Sequence, residues 1–327
     1  MGMPDFFLIG APKAGSTALH AALLNHPGLF LADPKEPKYF LTEGRRPRRA
    51  EQRGPGDAHS AHEWVWRRAD YERLFAAAPP GTLRGESTPF YLWDVAAHER
   101  IARAVPHAKL VAVIRDPVDR AYSNWTHLRA DGLEPVADFL RACDLEEQRA
   151  RRGWAPFWRY LGLGRYGEQL QALYERFPRE QVAVVRYREL IDAPRETLDG
   201  LCRFLGVDTG VIDAIPGSNV SHWAPHTPVN TVLRAVVRGG AVAGSFAPPT
   251  AWRRVSRPLL AALHRGGHAR PALDTAVRRE LVGRLADDIA LLERLTGRSF
   301  QDWLGDSGRG TYAVRSALAP SEREASQ

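Results

Sequence analysis

The sequence predicts an α/β fold: a parallel sheet of about five strands with helices on both faces, in a single domain over residues 1–304. Three observations predict it. Short continuous apolar runs bounded by turn residues recur along the chain, as buried parallel strands require. Stretches with helical spacing of apolar residues alternate with them. No clear linker divides the 327 residues, whose 44% hydrophobic and 25% charged content is ordinary for a globular chain.

The elements follow in order. Phe6–Ile9 is the first strand, Gly10-Ala11-Pro12-Lys13-Ala14-Gly15 a tight loop, and a helix opens at Ser16 or Thr17. Leu19, Leu23 and Leu24 form that helix's apolar face, and Asn25-His26-Pro27-Gly28 ends it. Residues 44–69 are polar, with Pro and Gly, and are expected to run over the sheet edge as an insert. Further strands are expected at about Thr82–Ser87 and at Lys109–Ile114, the latter followed by a helix carrying Tyr122 and Trp125. Residues 165–177 have amphipathic spacing and lead into a strand over Gln181–Tyr187. Pro194 opens another helix through Leu205, with Gly206 as its stop. Asp274–Leu295 reads as one late helix, and the Ser/Ala/Gly-rich residues 305–327 as a disordered tail. There is no internal repeat.

Composition narrows the class of function. No apolar run approaches the ~20 residues that span a bilayer. The first strand follows Met1-Gly2-Met3-Pro4-Asp5 directly, leaving no room for a cleavable leader, so a cytoplasmic protein is expected. Cys143 and Cys202 are the only cysteines, which fits reduced core thiols better than a disulfide framework or a metal site. The net charge is +7, and between Ala214 and Leu273 there is no acidic residue while seven arginines occur. Such a block is commonly a solvated basic face, but this asymmetry also suits an anionic ligand, an acidic acceptor or a membrane surface. No nucleic-acid-binding module is recognisable.

A strand, a glycine-bearing loop and a helix start aim backbone N–H groups at one point, which suits a phosphate or sulfate group. Gly10 and Gly15 have the separation of the ATP/GTP loop G-x-x-x-x-G-K-[ST]. Ser16, however, stands where that loop has lysine, and the lysine sits inside the loop as Lys13. Read alone, the stretch is equally an ordinary strand–turn–helix with a surface lysine. A second pattern follows the Lys109–Ile114 strand: Arg115-Asp116-Pro117-Val118-Asp119-Arg120-Ala121-Tyr122-Ser123. In an open parallel sheet, ligands bind at the carboxyl ends of strands, so Arg115 lies at the same edge as the loop. An arginine there, with a serine hydroxyl about two helical turns on, can hold a phosphate.

The loop motif P-K-x-G-[ST]-[ST], here Pro12-Lys13-Ala14-Gly15-Ser16-Thr17, resembles the 5′-phosphosulfate loop of sulfotransferases that use 3′-phosphoadenosine 5′-phosphosulfate (PAPS). The second pattern is similar to that family's R-[DN]-P-x-x-R-A-x-S, whose Arg and Ser bind the 3′-phosphate; the resemblance assigns those roles to Arg115 and Ser123. Gly85-Glu86-Ser87-Thr88-Pro89-Phe90-Tyr91 resembles the E-K-[ST]-P-x-Y-F segment of the heparan-sulfate-type branch, which implies that Glu86 is the catalytic base; standing alone it reads as a salt-bridged strand-end carboxylate. Lys35-Glu36-Pro37-Lys38-Tyr39-Phe40 resembles K-E-P-H-F-F, with Lys38 in place of the family histidine, and puts Lys35 and Lys38 on the acceptor side with residues 44–69. The resemblance covers most of the chain in the right order, including Gly164-Arg165-Tyr166, Val185–Leu190 and Leu295–Trp303.

The resemblance implies a P-loop-like fold and transfer of the PAPS sulfuryl group to a hydroxyl, or less readily an amine, of a saccharide or small-molecule acceptor. The product is adenosine 3′,5′-bisphosphate (PAP). Lys13 is then the residue that meets charge growing on the leaving oxygen. No metal is expected, nor a nucleic-acid partner, and a homodimer is left open. The basic residues 214–273 are expected to cover the donor, with Ser218–His222 nearest the adenosine. The competing readings are a P-loop nucleotide kinase and a non-catalytic PAP- or anion-binding adaptor.

Overall fold

The computed structural model describes residues 2–42, 44–47, 64–216, 228–244 and 271–305. Five parallel strands form one sheet: β1 Phe6–Gly10, β2 Leu29–Leu31, β3 Leu83–Ser87, β4 Lys109–Ile114 and β5 Val182–Arg186, in the order β2-β3-β1-β4-β5. All four pairings are parallel, with Phe6 opposite Gly85 on one side and Lys109 on the other. β1 and β4 are buried almost throughout, as expected of apolar runs covered on both faces. β2 is the strand that sequence spacing does not predict by position: three residues are too few to show a period, and its register on β3 (Leu29 opposite Leu83) places it.

The helix after β1 runs Ser16–Leu23, that after β4 runs Pro117–Ala130, and Pro194–Leu205 ends at Gly206 with φ 84°. The helix Thr275–Thr296 packs along the helix Tyr166–Tyr174, where Asp288 accepts from Gly167 N and Glu168 N at 3.0 and 2.9 Å. β5 ends one residue earlier than expected: Tyr187 opens the short helix Tyr187–Asp192. β1 lies between strands whose connections lead to opposite edges of the sheet, so the carboxyl ends of β1 and β4 flank a topological switch point, where open α/β sheets bind ligands.

Tyr166 and Trp125 are both buried, and so are the free thiols of Cys143 and Cys202. Most of the insert (48–63), most of the basic stretch (217–227 and 245–270, with Ser218–His222) and the tail from 306 lie outside the described residues. No helix among the described residues is long and apolar enough to cross a membrane.

Candidate active site

The loop between β1 and the first helix is built around two glycines. Gly15 has φ 96°, and a Cβ there would stand 2.5 Å from Cδ2 of Tyr187; one on Gly10 would meet Leu92 at the same distance. Only hydrogen fits at either position. Lys13 also adopts a left-handed conformation, φ 66°. The first intrahelical bond is Leu19 N to Gly15 O at 3.0 Å, so the N–H groups of Ser16, Thr17 and Ala18 lie ahead of the helical ladder. No side chain caps this terminus, and its first turn holds no acid. It is an anion-accepting end, with no carboxylate in its own first turn to offset its partial positive charge. Pro12, Ala14 and Ser16 are buried, Lys13 and Gly15 half-buried, and Thr17 exposed.

The crossing after β4 is closed by contrast. Asp116 accepts from Val118 N and Asp119 N at 2.9 and 3.0 Å and pairs with Arg278 at 2.5 Å, while Arg278 also reaches Asp119 at 3.3 Å. Burial, and then the charge of Asp119, raise the Asp116 pKa, against Arg278. These acids therefore fasten the late helix to the crossing, and no group of three or more metal-ligating side chains occurs among the described residues. Arg115 stands at the end of β4 with its guanidinium 5.2 Å from the Tyr187 ring centroid and 4.0 Å from Asp119. Tyr187 thus touches both the loop, at Gly15, and Arg115. Ser123 lies on the following helix and is largely buried.

Glu86, expected as the base, is 0% exposed. Thr88 Oγ1 donates to its Oε1 at 2.5 Å; the hydroxyls of Tyr71 and Tyr91 donate to Oε2 at 2.6 and 3.2 Å. Burial pushes its pKa up to about 7; the three hydroxyls pull down and the charge of Glu36 pushes up. In this structure the Glu86 carboxylate is enclosed by hydroxyls and aromatic rings and braces the segments that carry Tyr71, Thr88 and Tyr91. Lys38 is buried as well. It is 2% exposed, with Nζ 5.2 Å from the Trp64 ring centroid.

A partly exposed carboxylate near this edge is Glu36. Its N–H donates to Ser87 O at 3.0 Å, which seats it one step from Glu86, and its φ of 62° turns the chain there. Lys35 Nζ donates to Glu36 Oε1 at 2.6 Å, and the pair is about one-fifth exposed, 20% and 21%. Oε2 has no partner among the described residues. His20, on the first helix, sits 2.8 Å through Nδ1 from Ser87 Oγ; burial, and then Lys35, lower its pKa to about 4, leaving the ring neutral at neutral pH. Lys35, Glu36, His20 and Ser87 therefore form one cluster beside the loop. Sequence reasoning quoted Glu36 without assigning it, and read Tyr187 as strand. The signal available for Glu36 was its place between two lysines ahead of an apolar aromatic pair; for Tyr187 there was none.

An uncapped, acid-free helix start holding a loop lysine, facing a strand-end arginine across a parallel sheet, defines an α/β protein that grips an anionic group at the carboxyl edge of its sheet. The model of the sulfotransferase family matches residues 4–210. The chain belongs to the sulfotransferase family. It is similar to human bifunctional heparan sulfate N-deacetylase/N-sulfotransferase 2, with 27% identity over 213 residues, 63% of this chain and 22% of that protein. Mouse bifunctional heparan sulfate N-deacetylase/N-sulfotransferase 4 matches at 29% over 220 residues, again 63% and 22%. The chain thus matches about a fifth of the length of these relatives. Among solved structures, a sulfotransferase from Alicyclobacillus acidocaldarius is 27% identical with a TM-score of 0.70, covering 93% of this chain and 99% of that one.

Proposed function

We propose that this protein transfers the sulfuryl group of PAPS to a saccharide or small-molecule acceptor and releases PAP. The observation that carries the reading is the uncapped first helix with Lys13 in its loop, set at the same sheet edge as Arg115. The loop N–H groups and Lys13 bind the 5′-phosphosulfate, and Arg115 with Ser123 binds the 3′-phosphate. The acceptor oxygen attacks sulfur in line as the bond from sulfur to the bridging oxygen breaks, and the electron pair leaves on the 5′-phosphate of PAP. Charge grows on that bridging oxygen, so Lys13 acts most strongly in the transition state. Glu36 takes the acceptor's proton through Oε2, with Lys35 holding Oε1. A hydroxyl is the acceptor group on this reading; the relatives, named as heparan sulfate N-sulfotransferases, support a saccharide and bring an amine beside it. The buried free thiols of Cys143 and Cys202 support a reducing, cytoplasmic setting.

A thermal-unfolding comparison tests the reading. PAP without divalent metal should stabilise the protein, by about 2.7 kcal/mol at a hundredfold excess over its Kd, and magnesium–ATP should do so weakly or not at all. Equal or greater stabilisation by magnesium–ATP would overturn the sulfotransferase reading in favour of a kinase.

A further inference from the structure

Arg120 is a charged side chain that the roles above leave unused. It is 0% exposed, at the heart of the crossing after β4. Its Nη1 points at the carbonyl oxygen of Pro12 from 3.4 Å and its Nη2 donates to the carbonyl oxygen of Tyr160; it makes no ion pair among the described residues. At 3.4 Å the Pro12 contact is a charge–dipole attraction more than a full hydrogen bond. A guanidinium buried on backbone carbonyls has lost its hydration with no carboxylate in direct contact, only the charge of Glu146 nearby, which weakens a fold unless the charge serves something else.

What it serves follows from peptide geometry. The Pro12–Lys13 bond is not among the cis peptides, which are Gly10–Ala11 and Asp33–Pro34. In a planar trans peptide the Pro12 carbonyl and the Lys13 N–H point in opposite directions. A carbonyl drawn inward to Arg120 therefore turns the Lys13 N–H outward. The same pull steadies Lys13 in its left-handed conformation, φ 66°, which a residue with a side chain seldom adopts unaided.

We infer that Arg120 is a positioning residue for the 5′ half of the donor site, fixing the Pro12–Lys13 peptide in its anion-accepting orientation with a buried positive charge behind it. The inference rests on the PAPS reading. Burial disfavours the Arg120 cation, Tyr166 and Glu146 favour it and Arg115 opposes it; the guanidinium stays protonated, so an anion on the loop gains from a positive charge behind it.

PAP and adenosine 3′-monophosphate differ only by the 5′-phosphate, so the ratio of their affinities reads the 5′ half alone. Isothermal titration of the full chain should show that ratio falling about tenfold or more in Arg120→Gln, with 3′-monophosphate affinity near wild type, since a charge-assisted contact is lost. Arg120→Lys should recover part of the ratio. An unchanged ratio in folded Arg120→Gln overturns the inference, as does an equal loss for both ligands, which would mean general damage. Should the Gln variant not fold, Arg120→Lys decides: a shortened head group without the planar fork must still lower the ratio, and an unchanged ratio overturns the inference. Wild-type protein that binds the 3′-monophosphate no more weakly than PAP defeats it too, whereas wild-type protein that binds neither overturns the PAPS reading and this inference with it.

Discussion

Two glutamates stand at neighbouring points of one sheet edge and have opposite surroundings. Glu86, next to last in β3, lies inside a shell of three hydroxyls and the rings of Tyr71, Tyr91 and their neighbours, with no exposed surface. Glu36, hydrogen-bonded through its backbone to the residue after Glu86, has one carboxylate oxygen without a partner among the described residues and a lysine on the other. Motif resemblance pointed to the first. Access points to the second. On the proposed reading the base is the carboxylate an acceptor can reach, and the one whose partners lie inside the protein holds loops together.

The largest effect that can break this contrast is on turnover. Glu36→Gln should lower transfer by ~10²–10⁴ while leaving PAP affinity near wild type, the usual worth of a positioned base. Glu86→Gln should leave transfer per folded molecule close to wild type. Steady-state rates beside PAP titrations check both, and the reverse pattern would restore Glu86 as the base. Next in size, Lys13→Ala should lower turnover about a hundredfold, because its contact strengthens with leaving-group charge. That loss should appear equally in wild-type and Glu36→Gln backgrounds if the two act at opposite ends of the reaction. A variant with weaker PAP binding and normal turnover would make Lys13 a ground-state anchor.

The smallest effect is on stability. The pKa of Glu86 is raised to about 7 in the folded protein, above its unfolded value, so the folded state holds the extra proton between about 4.5 and about 7. Stability from this group is therefore present below that window and lost as pH rises through it, by up to about 3 kcal/mol. Urea unfolding at about pH 5 and about pH 8 should show wild type losing more stability between the two than Glu86→Gln does. An identical pH response in both proteins would mean that Glu86 is ionised throughout.

Much of the frame was legible because its signals are local. The runs of β1 and β4, the glycine loop and the helix stop at Gly206 follow from residues within a few positions of each other. β2 escaped because three residues carry no period, and Tyr187 because β5 passes into a helix with no change in residue type. At the candidate site, the loop and Arg115 came from spacing. The Asp116–Arg278 lock did not, since its partners are 162 positions apart.

The sequence alone determined the sheet class, the anion-accepting loop and the strand-end arginine, since backbone geometry and helix starts are set by short stretches of chain. Only the tertiary structure decided which carboxylate is accessible, that Lys38 lies under Trp64, and that Arg120 sits behind the Pro12 carbonyl. Burial and electrostatic environment are sums over neighbours brought together from distant positions, and no spacing along one strand or helix encodes them.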